Sequence, residues 1–168
     1  MIDILLGFLE QVFGTSYLGH MAVTFFVSML PIVELRGAIP IGAAMGLPPL
    51  VCYCTAILGN MVPVPFIIIF IRKIFAWMRK KSVRLGNLAD RFEKKAKSRG
   101  SRLYRGEVLG LMIFVAIPLP GTGAWTGALI AALLNIRLKV SMPTIFAGVI
   151  IAGIIVTGVT YGFISLVT

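Results

Sequence analysis

Two opposite charges, Glu34 and Arg36, lie inside the apolar stretch PIVELRGAIPIG (31–42), which Pro31 and Pro40 bracket. A carboxylate there can take up a proton or hold a cationic group. A guanidinium can grip phosphate or another anion with its fork of donors. The two can also pair with each other and serve only to hold a turn. Other residues with chemistry to offer are few. Gly37 follows Arg36 directly, and a second interrupted stretch, PLPGTGAWTG (118–127), contributes Pro118, Pro120, Gly121, Thr122, Gly123 and Trp125. Backbone N–H groups where such a glycine-rich stretch opens a helix can meet an anion. Equally, the glycines allow helices to pack closely. Trp125 either lines a pathway or fills a core. Asn60, inside a long apolar segment, either hydrogen-bonds across helices or touches a substrate. His20 reads as an interfacial residue. Cys52 and Cys54, two apart, point to different faces of a helix with no second pair or histidine beside them, and read as small apolar fillers. No Ser-His-Asp, paired-carboxylate or metal-ligand spacing occurs. The sequence therefore predicts no enzyme, no cofactor and no metal site.

A very apolar chain must position these groups. Of its 168 residues 58% are hydrophobic and 13% charged, with a mean hydropathy of +0.98. Soluble domains average about 45–50% apolar and about 25% charged. An all-α integral membrane protein with a single membrane domain over 1–168 follows, placed in the cell membrane with several passes. The segment MIDILLGFLEQVFG (1–14) holds Asp3 and Glu10 but no basic residue, unlike a signal peptide. Its apolar residues Ile4, Leu5, Phe8, Leu9 and Val12 recur at helical spacing and predict a short interfacial helix.

Charge is concentrated in one place. Residues 72–106 hold thirteen of the 16 Lys and Arg residues, against only Asp90 and Glu93. Positive charge is retained on the cytoplasmic side, which predicts that this segment is cytoplasmic. Leu85, Leu88, Ala89, Phe92 and Ala96 add an apolar stripe, predicting an amphipathic helix on anionic lipid headgroups rather than a nucleic-acid patch.

Segment lengths are informative. A full span needs about 20 apolar residues, whereas about 10–14 suggest a re-entrant or buried piece. MAVTFFVSMLPIV (21–33) and GAIPIGAAMGL (37–47) are short, and 48–71 is long enough to cross. After the basic segment the order recurs: 108–120 and 121–136 are short, and 140–167 is long. FVSMLPIVELRGAIPIGAA is answered by FVAIPLPGTGAWTGAL with a gap of a residue or two. Each short pair predicts a re-entrant helical hairpin followed by a transmembrane helix. Residues 18–71 and 107–168 are then repeats of opposite topology, joined by the 72–106 linker. Arg137 and Lys139 fall on the cytoplasmic side, as the positive-inside rule requires. Inverted repeats with broken helices near the midplane mark secondary transporters. Breaks at membrane depth survive only when buried in protein or lining a watery cavity, so the tips ELRGAIP and PLPGTG are expected to face each other. A charge there costs about 2.5–3.5 kcal/mol on insertion scales and points by default to function.

ELRGAIPIG and PLPGTGAWTG resemble the paired motifs of the putative small multidrug export protein family, with the likeness covering about residues 18–165. By its hairpin-plus-span repeat that family is similar to the DedA superfamily of membrane transporters and lipid scramblases. The resemblance implies two inverted re-entrant hairpins with substrate transported where they meet. From DedA proteins it implies translocation of polyprenyl-phosphate carriers such as undecaprenyl phosphate, coupled to a proton or sodium gradient, with Glu34 as the acidic residue of the first hairpin. DedA proteins carry arginines around the second tip, and VAIPLPGTGAW has none, so an anionic headgroup would rest on Arg36.

The expected protein is thus a transporter, homodimeric because one copy offers few helices to enclose a path. It would translocate an amphipathic anionic lipid, with Arg36 and the tip glycines binding the headgroup and Glu34 as the proton-coupled group. Two alternatives stay open: proton-coupled export of small amphipathic cations, with Glu34 binding the cation, and a non-transporting membrane-assembly protein that docks through its basic helix.

Overall fold

The structure, a computed structural model, describes residues 16–81, 104–119 and 121–167. Among them every regular element is a helix: α1 Tyr17–Ser28, α2 Glu34–Ala44, α3 Pro49–Met61, α4 Pro63–Lys81, α5 Tyr104–Ala116, α6 Ala124–Leu133 and α7 Leu138–Val167. Local chemistry sets the ends. The Ser16 hydroxyl accepts the Gly19 N–H at 3.2 Å and caps α1. Pro49 opens α3 after the extended Pro48, where its missing N–H costs nothing. Pro63 likewise opens α4. The apolar runs Pro49–Ile74 (26 residues) and Leu138–Leu166 (29 residues), each of hydropathy 2.2, are long and apolar enough to cross a bilayer.

The first interruption lies upstream of where the sequence puts it. ELRGAIP is not broken: it is the first part of α2, with Pro40 inside the helix, and the irregular backbone is Met29–Val33. An interior proline removes one backbone bond and costs about 3 kcal/mol or more, yet α2 runs through Pro40 to Ala44, with Leu35, Ala38, Ile39 and Gly42 buried on one face. The second interruption, 117–123, falls where expected. The basic segment is helical as far as Lys81. The amphipathic helix expected within 82–103 and the interfacial helix expected in 1–14 lie outside the described residues.

Two compact units make up the chain: Met1–Val62 with Val149–Thr168, and Pro63–Gly148. In the first, α1, α2 and α3 pack on one another around Val23, Val27, Leu35, Ala38, Ile39, Cys52 and Ala56. Gly59 has no side chain because the Phe25 carbonyl and Ser28 hydroxyl occupy the place a Cβ would take. The Cys52 thiol donates to the Ile39 carbonyl at 3.3 Å. Gly153 of α7 lies against the Tyr53 ring, and the Tyr161 hydroxyl donates to the Leu47 carbonyl at 2.5 Å. In the second unit α6 packs on α4 and α5 around Val64, Ile68, Leu111, Val115, Ala124, Ala128 and Ile145. A Cβ on Gly148 would stand 2.7 Å from the Val115 Cβ and 2.8 Å from the Met112 carbonyl. The Arg72 guanidinium donates to the Ile136 carbonyl.

These contacts correspond pairwise. Helices α2 and α6 end in the same Schellman turn. Gly46 N–H bonds Ala43 O at 3.0 Å and Leu47 N–H bonds Gly42 O at 3.0 Å; Asn135 N–H bonds Ala132 O at 3.2 Å and Ile136 N–H bonds Ala131 O at 3.0 Å. The left-handed residue is Gly46 (φ 83) in one and Asn135 (φ 58) in the other, the two residue types that tolerate it best. Beyond the turn the carbonyls of Leu47 and Ile136 are bonded by Tyr161 and Arg72, so donor and acceptor share one shift of 89 residues (47 to 136, 72 to 161). The glycines at the helix crossings obey it too (59 to 148), while their partners on α1 and α5, Phe25 and Met112, are shifted by 87. That register differs by one residue from the Phe-Val match in sequence, because packing against glycine, not residue identity, aligns the helices.

Gly59→Ala and Gly148→Ala should each lower stability by about 1–3 kcal/mol, as overpacking does, whereas Gly158→Ala, which meets nothing within 4 Å, should not. Thermal unfolding of the purified protein in detergent measures all three.

Candidate functional site

Glu34 is the first residue of α2, and two unfavourable conditions fall on it together. Its backbone is left-handed (φ 48), a conformation that costs a non-glycine residue of order 1 kcal/mol or more. Its side chain is only 5% exposed. The turn that imposes this is held by Glu34 N–H to Leu30 O at 2.9 Å and Gly37 N–H to Val33 O at 3.0 Å. Arg36 stands two residues on and is half-buried, within electrostatic reach of Glu34. Residues two apart on a helix occupy different faces; Glu34 is the more deeply enclosed of the two, and the Arg36 Nε is buried as well. Gly37 is half-buried against the Val33 side chain, and Pro40 is exposed within α2.

Asn60 belongs to the same unit. It is fully buried, and neither atom of its amide has a hydrogen-bond partner among the described residues. The Cys52–Ile39 bond sets α2 and α3 antiparallel. Glu34, before Ile39, and Asn60, after Cys52, are therefore at one end of that helix pair, the end where Gly59 meets Phe25 and Ser28.

The second interruption lies in the other unit and is tied up by one hydroxyl. Thr122 Oγ1 donates to the Ile117 carbonyl at 2.6 Å, with the Leu119 carbonyl at 2.9 Å, and accepts the Leu119 N–H at 3.2 Å. Gly121 (φ 86) makes the turn that only glycine adopts freely. Gly123 is buried and precedes α6 with no side-chain cap, Pro118 is half-buried, and Pro120 lies outside the described residues. Trp125, in the first turn of α6, lines a groove of about 470 Å³ with Phe66, Ile67, Ile69, Phe70 and Lys73 of α4.

The sequence-predicted residues thus fall into two groups: Glu34, Arg36, Gly37, Pro40 and Asn60 in the first unit, and Pro118, Gly121, Thr122, Gly123 and Trp125 in the second. Sequence reasoning missed Lys73, Arg72 and Tyr161. Lys73 was hidden among the basic residues of 72–106, although Phe66, Phe70 and Lys73 share a helical stripe that could have marked it. Among the described residues no group of three His, Cys, Asp or Glu side chains could hold a metal ion.

All-helical architecture, two apolar helices of spanning length and large apolar side chains left exposed along them (Phe66, Ile154, Val159, Phe163) define a membrane protein. Residues 34–155 match the family described as "Putative small multi-drug export protein", and the chain belongs to that family. The match begins at Glu34, directly after the first interruption, and takes in the second. Comparison with curated proteins and with solved structures returns no match.

An unpaired buried amide costs about 1–3 kcal/mol. Asn60→Leu should therefore raise the unfolding temperature in detergent while lowering substrate binding. A loss of stability would instead mean that the amide holds the fold.

Proposed function

We propose that this protein is a membrane transporter of amphipathic molecules, that its cargo is an anionic lipid of the polyprenyl-phosphate type, and that transport is coupled to titration of Glu34. One observation carries the reading: at a single helix start an acid and a base are drawn into the protein together, Glu34 almost completely and Arg36 by half. Arg36 is then the group that meets a phosphate headgroup, with its fork of donors, and Glu34 is the group that exchanges a proton out of the cargo's reach. Left-handed backbone and near-complete burial at one acidic residue are costs that a purely structural turn avoids by using glycine or asparagine. Family membership supports transport, and the likeness to DedA proteins supports a lipid cargo coupled to a proton or sodium gradient.

The matched Schellman turns, the matched carbonyl bonds at Leu47 and Ile136, and the matched glycine crossings support an inverted repeat. In it α1–α2 and α5–α6 are re-entrant hairpins, each carrying one interruption. A homodimer in the cell membrane with 72–106 cytoplasmic completes the proposal. A second reading, proton-coupled export of amphipathic cations with Glu34 as the binding carboxylate, is favoured by the family's description as export proteins for drugs.

Binding at several pH values, in nanodiscs, distinguishes the two. For an anionic cargo Arg36→Gln should weaken binding about 10- to 150-fold, the loss of one charge-assisted contact. Glu34→Gln should spare binding but abolish the response of flipping to a pH gradient in proteoliposomes. For a cationic cargo the two variants exchange roles. Loss of stability alone, with binding intact in the folded fraction, would reduce both residues to a structural pair.

The repeat is tested by topology. Single cysteines at the corresponding exposed positions Pro48 and Arg137, introduced with Cys52→Ser and Cys54→Ser, should label from opposite sides of the membrane. Labelling from one side would end the inverted arrangement.

A further inference from the structure

The groove between α4 and α6 has an organisation that the transport reading does not use. Phe66 and Phe70 are one helical turn apart on α4 and remain 69% and 63% exposed. With Ile67, Ile69 and Trp125 they form an apolar trough, and the remaining lining residue is Lys73, one turn beyond Phe70. At about 470 Å³ the trough lies within the range of about 300–1,000 Å³ typical of small-molecule sites. Its polarity is one-ended, with hydrocarbon and aromatic surface along its length and one ammonium at its end. No acidic side chain is among the lining residues. The neighbouring Arg72 is not among the lining residues, and its guanidinium is turned to the Ile136 carbonyl.

α4 runs out of an apolar span at Ile74, so Lys73 is at the end of the span, where a lysine stem lies along apolar surface and its charge reaches the headgroup level. Apolar trough and terminal cation together match an amphiphile with a chain at one end and negative charge at the other. We propose that the α4–α6 groove is a resident binding site for an anionic phospholipid, its acyl chain against Phe66, Phe70 and Trp125 and its phosphate on Lys73. A zwitterionic lipid would bring a compensating positive charge to the same ammonium and gain less. Occupancy of the groove is independent of what the protein transports.

Trp125 is itself a reporter. With Trp77→Phe it is the remaining tryptophan of the two in the chain. The full-length protein is placed in phosphatidylcholine nanodiscs containing rising fractions of phosphatidylglycerol with brominated acyl chains, or of phosphatidylcholine brominated in the same way. Bromine quenches tryptophan fluorescence on contact. Quenching by brominated phosphatidylglycerol should saturate at low mole fraction, and quenching by brominated phosphatidylcholine should rise only in proportion to its amount. Lys73→Gln should raise the half-saturating fraction about fivefold, the share of one basic residue at a membrane surface. Lys97→Gln, in the same basic segment, should leave it unchanged. Equal quenching by the two lipids overturns the proposal without any substitution at Lys73. An equal effect of Lys73→Gln and Lys97→Gln overturns it too, by assigning the preference to the whole basic segment.

Discussion

A backbone carbonyl that leaves a helix buried within protein must be answered by the protein itself, since no water reaches it; Leu47 and Ile136 are both buried. The turns after α2 and α6 show how this chain meets that demand. Each turn bends back through a left-handed residue that reclaims two carbonyls, and each then offers one more, of Leu47 or Ile136, to a side chain from a distant stretch of sequence. Tyr161 and Arg72 are chemically unlike, yet both reach across with a donor. An unanswered carbonyl in such surroundings costs more than a good hydrogen bond gains, so the long helices are held where their donors can reach. The glycine crossings follow from this placement. With the long helix fixed at its turn, Gly59 and Gly148 bring backbone against backbone, and any larger residue would push α1 or α5 away.

The same accounting singles out Glu34. Elsewhere in the described residues the left-handed positions fall on Gly46, Gly121 and Asn135, residues suited to them. At the start of α2 a buried acid is used instead. That departure from local preference is what gives the α2 start its claim as a site. Asn60 makes a quieter claim by the same logic, through an amide enclosed at the same end of α2 and α3.

Legibility in the sequence followed the strength of the physics behind each signal. Apolar length made both spans readable, and Pro-Gly punctuation located 117–123 within a residue or so. The first interruption was misplaced because charges and a proline in ELRGAIP look like a break, whereas Leu35, Ala38, Ile39 and Gly42 supply a buried helical face that outweighs Pro40. The pairwise correspondence of contacts was visible only as a loose likeness of sequence. Its exact register is carried by hydrogen bonds to carbonyls and by missing Cβ atoms, neither of which constrains residue identity. Tyr161 and Arg72 could not be matched by eye, since what they share is a donor at the right distance. Lys73 was overlooked for a different reason: it stands among other cations in sequence, and only its helical spacing from Phe66 and Phe70 marks the groove it lines.

The division of each long apolar run, 49–74 and 138–166, between the units bears on how the protein is made. Residues 63–148 form an unbroken stretch of chain, so that unit has all its parts once Gly148 has left the ribosome. The first unit does not. Its α1–α3 segment is synthesised early, yet the hydroxyl that bonds Leu47 comes from Tyr161, 114 residues later. The helices α1–α3 are thus complete only once α7 has been made and supplies the donor for the Leu47 carbonyl.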